Sequence, residues 1–480
     1  MRRTKIVATL GPATDKPKVL ANLIAAGLDA ARLNYSHGTR NDHAKRARSL
    51  RRTTKAQNRE IALIADLQGP KIRLEKFRNG PIQLEEGDEF TIDADLDANA
   101  GDEQHIGVTY KALPKDVHDG DTLLVDDGRI ILKVENVDGN AIETVVLLGG
   151  ELSNNKGVNR EGGGLSAKAL THKDRQDLKH AVEIGADYIA VSFPRTAKDI
   201  YDARRLLAKI GSNAGIIAKI ERAEAIEHAE EIINAADGIM IARGDLGVEL
   251  GDSRLPPVQK QLVNLARRRH RIVITATQMM ESMIENPMPT RAEVFDVANA
   301  VLDGTDAVML SAETSIGKFP EKTVEAMARI CRESEKEWPD NQAELLLDAA
   351  FDRVDQAIAM STIYCANRIK VKAIAALTET GATTKWMSRI RTDIPIFAIS
   401  GLTQTLRKVA LYRGVQPIAF DVRDIGYSEV TAGILEQLTK RGVVADGDKV
   451  IITKGDLLGH IGGTNGMKIV TVGEFVEHVV

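Results

Sequence analysis

The chain has 480 residues, 43% of them hydrophobic and 28% charged, and carries a net charge of −4. These proportions fit a soluble globular protein and exclude a general electrostatic pull toward nucleic acid or anionic lipid; with 4% aromatic residues there is little to build a base-stacking surface. At about 150 residues per domain the length implies roughly three domains, each able to bury its own core. Two cysteines, Cys331 and Cys365, are too few for a disulfide framework or a zinc site, and buried thiols in a reducing, cytoplasmic setting are expected. The apolar run 6–10 stops at Gly11-Pro12, short of a signal-peptide core, and no apolar stretch approaches membrane-spanning length.

In chain order, the first strand-like run covers 5–10. The second, 29–33, leads into Ala31-Arg-Leu-Asn-Tyr-Ser-His37, and the third, 61–65, ends in Asp66-Leu-Gln-Gly-Pro-Lys-Ile-Arg73. About a hundred residues, 70–168, then show little helical pattern but many turn signals: Asn79-Gly80, Glu86-Gly87, Asp119-Gly120, Asp127-Gly128 and Asp138-Gly139. They predict a small β-domain inserted in a barrel loop. Strand-like runs resume at 188–193, 215–220, 238–242, 271–275 and 306–310, with helical patterns between them such as 222–235. Pro256-Pro257 suits the first turn of a helix. Eight βα units predict a (β/α)8 barrel, and residues 1–69 with 169–340 supply roughly 240 residues, near the ~250 typical of that fold. After Trp338-Pro339 a helix-rich lead passes into strands at 373–377, 396–399, 417–420, 449–452 and 468–472, so 341–480 reads as an open α/β domain. No repeat of solenoid length is present.

A barrel of this kind keeps its chemistry where its strands end. Glu221 and Asp245, beside the ammonium of Lys219, suit a divalent metal and a transferable anionic group better than a packing role. Arg32 and Arg73 offer planar donor forks to phosphoryl oxygens. The amides of Gly244 and Asp245, opening a short turn or helix over 245–249, are placed to receive a carboxylate. A small acid bearing a phosphate would satisfy all of these groups. Blander readings exist for each: an ion-pair cluster at the barrel mouth for Lys219, Glu221 and Asp245, and surface pairs for Arg32 and Arg73. Residues 34–37 could be a helix cap, Asp126-Asp127-Gly128 a hairpin turn, Lys156 a solvated lysine, and Thr277, Ser311 and Glu313 rim polar groups. The basic runs 45–59 and 267–271 read as solvated helix faces.

Taken together and in order, Lys5-Ile-Val-Ala-Thr-Leu-Gly-Pro-Ala-Thr14, Ala31-Arg-Leu-Asn-Tyr-Ser-His-Gly38, residues 66–73, Val125-Asp-Asp-Gly128, Asn155-Lys-Gly-Val-Asn159, Ala218-Lys-Ile-Glu221, Ile241-Ala-Arg-Gly-Asp-Leu-Gly-Val248, Ala276-Thr-Gln-Met279 and Met309-Leu-Ser-Ala-Glu-Thr314 resemble the pyruvate kinase family over essentially the whole length. The resemblance implies a barrel, a β-barrel lid inserted after its third strand (70–168), a C-terminal regulatory domain and a homotetramer. It implies transfer of the phosphoryl group of phosphoenolpyruvate to ADP, giving pyruvate and ATP. On the matching positions, Glu221 and Asp245 would hold Mg2+ or Mn2+, Lys219 would stabilise the phosphoryl in flight, and Arg32 and Arg73 would grip it. Thr277 with the Gly244 and Asp245 amides would take the carboxylate. Asn34, Tyr35, Ser36, His37, Arg73 and the lid's Lys156 would face the nucleotide. A water relay through Thr277, Ser311 and Glu313 would protonate the enolate.

Potassium-dependent members of the family carry threonine after the aspartate, and glutamate in a Gly-Pro-Glu-Ile-Arg run; here those positions are Leu67 and Lys71. Asn34, Ser36 and Asp66 are retained, so with Leu67 a weak or vestigial K+ site is expected. The Lys71 ammonium is expected to supply the missing charge, making K+ dispensable. In the last domain, strand 373–377 feeds Thr378-Glu-Thr-Gly-Ala-Thr-Thr384, which resembles the family's effector loop: Thr378, Thr380, Gly381, Thr383 and Thr384 offer hydroxyls and helix N-terminal amides to an anion. The arginine-poor second loop, 454–465, favours a sugar monophosphate or AMP over a bisphosphate. Two other classes use some of the same residues: a metal-dependent lyase or aldolase on a barrel, which has no need of Lys156, and a catalytically dead sensor, which leaves Lys219, Glu221 and Asp245 unexplained. ADP-dependent release of pyruvate separates the three. No nucleic-acid or membrane partner is expected.

Overall fold

The protein is described from a computed structural model, covering residues 1–337, 351–390, 392–423, 425–456 and 462–474. The boundary at Trp338-Pro339 and the middle of the 454–465 loop lie outside the described residues. Alanine-rich and β-branched runs that bury both faces can only sit in a sheet covered on both sides. Eight such strands, Lys5–Thr9, Ala30–Asn34, Ala62–Asp66, Tyr188–Val191, Gly215–Ile220, Gly238–Ala242, Ile272–Ala276 and Ala307–Leu310, close into a barrel in chain order, the first beside the eighth. Lys5 lies opposite Ala307 and Ala8 opposite Leu310 in parallel register. Each strand is within two residues of its sequence-based position at either end. Pro256 and Pro257 fall in the first turn of helix Leu255–Arg268. The helix expected over 222–235 is instead two, Glu224–Glu227 and Ala229–Ala235. His228 leaves helical angles between them (φ −99°, ψ 13°), and its ring pairs with Glu231 at 3.0 Å.

Packing groups the chain into two units. One comprises Met1–Ala65, His180–Ile189 and Val263–Val480. In it, Val415–Ala419, Ile396–Ser400, Ala373–Leu377, Lys449–Lys454 and Gly466–Thr471 form a five-stranded sheet in that order, parallel except for the last strand. Ala375, Phe397, Ile399, Val430 and Ile434 form its core. A buried ion pair joins this part to the barrel: Asp306, at the foot of the eighth strand, accepts from both terminal nitrogens of Arg389, the last residue of helix Ala382–Arg389. Both side chains are at most 3% exposed. The amides of Val273 and Arg413 complete the aspartate's shell at 2.9 and 3.2 Å.

The second unit comprises Asp66–Lys179 and Ala190–Leu262. The inserted β-domain is here. Its strands divide between a six-stranded sheet, ordered Val158–Arg160, Thr122–Val125, Ile130–Asp138, Ala141–Leu148, Glu89–Asp93 and His105–Gly107, and a two-stranded ribbon of Ile82–Leu84 with Gly150–Leu152. Leu74, Phe90, Ile92, Leu123, Leu132 and Val146 lie in its core. At the five turns read from the sequence, Gly80, Gly87, Gly120, Gly128 and Gly139 all have φ between 62° and 94°, with open space where a Cβ would stand. The backbone angle, not crowding, demands glycine there.

His270 lies in the first unit beside Trp386, ring centroids 4.4 Å apart, and its Nδ1 has no hydrogen-bond partner. Burial, then the nearby Arg389, Lys385 and Arg271, push its imidazolium down to about 4 from the ordinary 6.5. The folded state therefore refuses a proton that the unfolded chain accepts, so stability is lost as pH falls from about 6.5 toward about 4. Thermal midpoints of the parent and of His270→Gln, measured across that window, should diverge, the parent falling faster; parallel curves would rule out this source of acid sensitivity.

Candidate active site

In the second unit, three strand ends converge on one ammonium. Lys219, near the end of strand Gly215–Ile220, is 2.7 Å from Oε1 of Glu221 and 3.3 Å from Oδ1 of Asp66, and donates to Oγ of Ser192 at 2.8 Å. Ser192, just past strand Tyr188–Val191, in turn donates to the carbonyl of Leu67 at 2.7 Å. Glu221 is 2% exposed, and its other oxygen accepts from the amide of Phe193 at 2.9 Å. Phe193 adopts φ 53°, a conformation costly for a side chain of its size and one that collects at functional sites. Asp245 sits in the first turn of helix Arg243–Leu250, which starts two residues earlier than the sequence suggested. Its Oδ1 receives Lys71 at 2.9 Å.

The carboxylates of Asp66 and Glu221 thus lie on the Lys219 ammonium, and that of Asp245 on the Lys71 ammonium. Burial raises the Glu221 carboxyl, Lys219 opposes the rise, and the like charges of Asp245 and Asp66 add to it, for a net upward shift. Hard carboxylate oxygens are the donors a divalent cation takes, and Glu221 and Asp245 present them on neighbouring elements. Among the described residues no set of three or more His, Cys, Asp and Glu side chains is arranged to hold a metal by itself.

Also in this unit, Arg73 and Lys156 are neighbours at the root of the β-domain. The amide of Leu74 donates to the Lys156 carbonyl at 2.8 Å, and Nη1 of Arg73 to the Asn155 carbonyl at 2.9 Å. Lys156 is held by Asp126 at 2.8 Å, and both Asp126 and Asp127 have positive φ. The Leu67 side chain is buried, and its carbonyl is engaged by Ser192. Lys71, which the sequence reading gave the charge of a monovalent cation, has its ammonium on Asp245.

In the first unit a cleft of about 750 Å3 is lined by Thr9, Arg32, Asn34, His37, Ser311 and Ser315 among others. Arg32 is aimed by Thr9, whose Oγ1 accepts from Nη1 at 3.0 Å and donates to the Leu310 carbonyl at 2.9 Å. Asn34 folds its side chain onto the Ser36 amide at 3.1 Å. Tyr35, read as facing a nucleotide, is placed differently: it is 3% exposed, stacks on His43 with centroids 4.3 Å apart, and meets Nδ1 of His180 at 2.9 Å. Thr277 and Gln278 both have positive φ, 68° and 52°, which costs a β-branched residue about 1–3 kcal/mol. Glu313, 3% exposed, accepts from the amides of Ser311 and Met280 at 2.6 and 3.2 Å, joining the exits of the seventh and eighth strands. Burial raises its carboxyl despite those amides.

The effector-loop residues are mostly turned inward. Thr384 is fully buried and donates to the Gly381 carbonyl at 2.9 Å; Thr378 accepts from the Gly381 amide at 2.9 Å; Thr383 meets Thr464 at 2.9 Å. Thr380 is exposed, and Gly381 takes φ 83°.

A family profile described as the pyruvate kinase barrel domain matches residues 1–324, and one described as the pyruvate kinase alpha/beta domain matches 356–470. The chain belongs to the pyruvate kinase family. A pyruvate kinase of Buchnera aphidicola is 53% identical and pyruvate kinase II of Salmonella typhimurium 52% identical, each alignment covering 98% of this chain and 99% of the relative. Pyruvate kinase 2 of Synechocystis is 42% identical over 98% of this chain and 79% of its own length. The chain is accordingly a phosphotransferase acting on phosphoenolpyruvate and ADP, the substrates of this family.

Ser192 and Thr9 are the rim residues that the sequence reading passed over. The strand expected over 188–193 ran through Ser192 and hid it as a sheet residue. A Ser192→Ala enzyme should fold normally and lose roughly tenfold or more in kcat, because Lys219 then loses a hydroxyl that fixes its ammonium. Steady-state kinetics with kcat unchanged would remove Ser192 from the site.

Proposed function

We propose that the chain transfers the phosphoryl group of phosphoenolpyruvate to ADP as a glycolytic, cytoplasmic enzyme dependent on Mg2+ or Mn2+ held by Glu221 and Asp245. The observation that supports this reading is the convergence of the Glu221 and Asp66 carboxylates on the Lys219 ammonium, with the Asp245 charge close enough to act on Glu221. Bound there, a divalent ion would supply Lewis-acid polarisation of phosphoryl and enolate oxygens, taking its other ligands from substrate and water. Lys219 meets the transferring phosphoryl with charge already in position, since its hydrogen bonds to Ser192 and Glu221 fix the ammonium before substrate arrives.

Arg32, aimed by Thr9, and Arg73 grip phosphoryl oxygens. Thr277 and the amides of Gly244 and Asp245 receive the carboxylate. Protonation of the enolate runs through water ordered by Thr277 and Ser311, with Glu313 fixing the Ser311 amide and keeping its own proton at higher pH than an exposed carboxyl. Asn34, Ser36, His37, Arg73 and Lys156 serve the nucleotide, and Tyr35 supports that turn from behind. Residues 70–168 act as a lid that excludes water, the barrel comprises 1–69 and 169–340, and 341–480 binds the effector. Phe295 and Met288, 76% and 74% exposed, supply apolar surface for the contacts of a homotetramer.

Lys71 replaces the monovalent cation by lending its charge to Asp245, leaving Asn34, Ser36, Asp66 and Leu67 as a vestigial K+ site. The effector is a sugar monophosphate or AMP held at the 378–384 loop, through Thr380 and the amides beyond Gly381.

ADP-dependent pyruvate release, assayed with Mg2+, tests the reading: Lys219→Met should lower kcat by about 10³-fold or more, with KM values little changed. Pyruvate release that continues in Lys219→Met would sink it. In buffer free of sodium and potassium the parent should keep most of its turnover; only residual activity would show that Lys71 does not do the cation's work. At subsaturating phosphoenolpyruvate, glucose 6-phosphate or AMP should activate and fructose 1,6-bisphosphate should not; the reverse order would overturn the assignment of the loop.

A further inference from the structure

The segment that leads out of the inserted β-domain, residues 160–168, contains three consecutive glycines, Gly162, Gly163 and Gly164, with φ of 78°, 80° and 92°. Such a run resists rotation least of any sequence. It is nevertheless gripped from the barrel side at four places. Nη1 of Arg195 donates to the Ser166 carbonyl at 3.0 Å, Nη1 of Arg222 to the Leu165 carbonyl at 2.8 Å, and Glu224 accepts from the Gly164 amide. The fourth grip is Glu249. Its main-chain carbonyl accepts from the Gly162 amide at 3.3 Å, its Oε1 from Nδ2 of Asn159 at 3.4 Å, and its Oε2 from the Ala223 amide at 2.8 Å.

Each of these residues lies just downstream of a group at the reacting end of a strand. Arg195 follows Ser192 and Phe193, Arg222 and Glu224 follow Lys219 and Glu221, and Glu249 shares its helix with Asp245. Of these four, Glu249 is the member that bonds at once a side chain of the β-domain, Asn159 in the strand before the turn, and the loop after Glu221. Both side chains are buried, at 6% and 7% exposure, so neither bond competes with water.

We propose that Glu249 is a positioning residue for the reaction: by tying Asn159 at the lid's exit to the Ala223 amide and to the helix of Asp245, it sets the closed position of the lid against the metal-binding carboxylates. This rests on residues 70–168 acting as a closing lid. Burial pushes the Glu249 carboxyl up to about 7 against the pull of the Ala223 amide, with the Glu224 charge adding to the rise. Its hydrogen-bond geometry therefore matters more than its charge, and a neutral isostere can take its place.

Three variants read this out. Glu249→Asp, one methylene shorter, should raise KM for ADP roughly tenfold while kcat at saturating ADP falls less than about threefold, since only a fraction of molecules then present the closed lid. Asn159→Ala, which leaves the helix of Asp245 untouched, should reproduce the shift. Glu249→Gln should restore parental constants, its amide accepting from Ala223 and donating to a rotated Asn159. Amide exchange across 70–168 in the parent, with and without ADP, checks the lid itself. Parental exchange slowed by ADP, with KM for ADP unmoved within about twofold in both Glu249→Asp and Asn159→Ala, overturns the role of Glu249. Exchange unaffected by ADP overturns the lid reading, and the proposal with it.

Discussion

A carboxylate that water barely reaches must find its partners inside the protein, and Glu221 finds them in an ammonium two residues away and a peptide N–H held at positive φ. Both partners are costly to arrange. Lys219 is desolvated along with Glu221, and Phe193 is kept out of its preferred backbone region. The gain is a rim whose charges are held in place by the fold itself. Ser192, Asp66 and the turn after the third strand are arranged around that pair, and the segment leaving the β-domain is bonded to residues that follow it.

Strands and turns were open to sequence reasoning because each had a local physical cause. Continuous burial needs continuous apolar residues, and the five turn glycines answer to a backbone angle that no neighbour imposes. Charged groups at strand ends were equally visible, since Lys219, Glu221 and Asp245 interrupt apolar runs. Direction was not visible. Tyr35 stands between Asn34 and Ser36 in a polar turn, and nothing in that spacing says that its ring packs inward on His43. Thr383 and Thr384 look like donors for an anion, yet one bonds Thr464 and the other its own helix start. Lys71 could be recognised as an unusual charge, but its choice of Asp245 depends on a fold that brings residues 174 positions apart into contact.

The residues passed over share a different cause. Ser192 and Thr9 act by holding Lys219 and Arg32, and Glu249 by holding Asn159 and the Ala223 amide, and such intermediaries carry no chemical signature of their own. A serine after a strand, a threonine within one and a glutamate late in a short helix are ordinary until their partners are known. Glu313 shows the same limit from the other side: its acidity draws attention, whereas its two amide bonds give it the work of a brace between strand exits.

The Asp306 to Arg389 pair gives the eighth strand two loaded ends. Four residues, Ala307–Leu310, separate the aspartate from Ser311, five steps or roughly 16 Å along an extended chain. Strands of a closed parallel barrel cannot slide without breaking ladder bonds on both sides, so this one behaves as a stiff rod rather than a tether. A displacement of helix Ala382–Arg389 passed on through Asp306 would therefore reach Ser311 as movement of the whole strand, with little slack between them to absorb it.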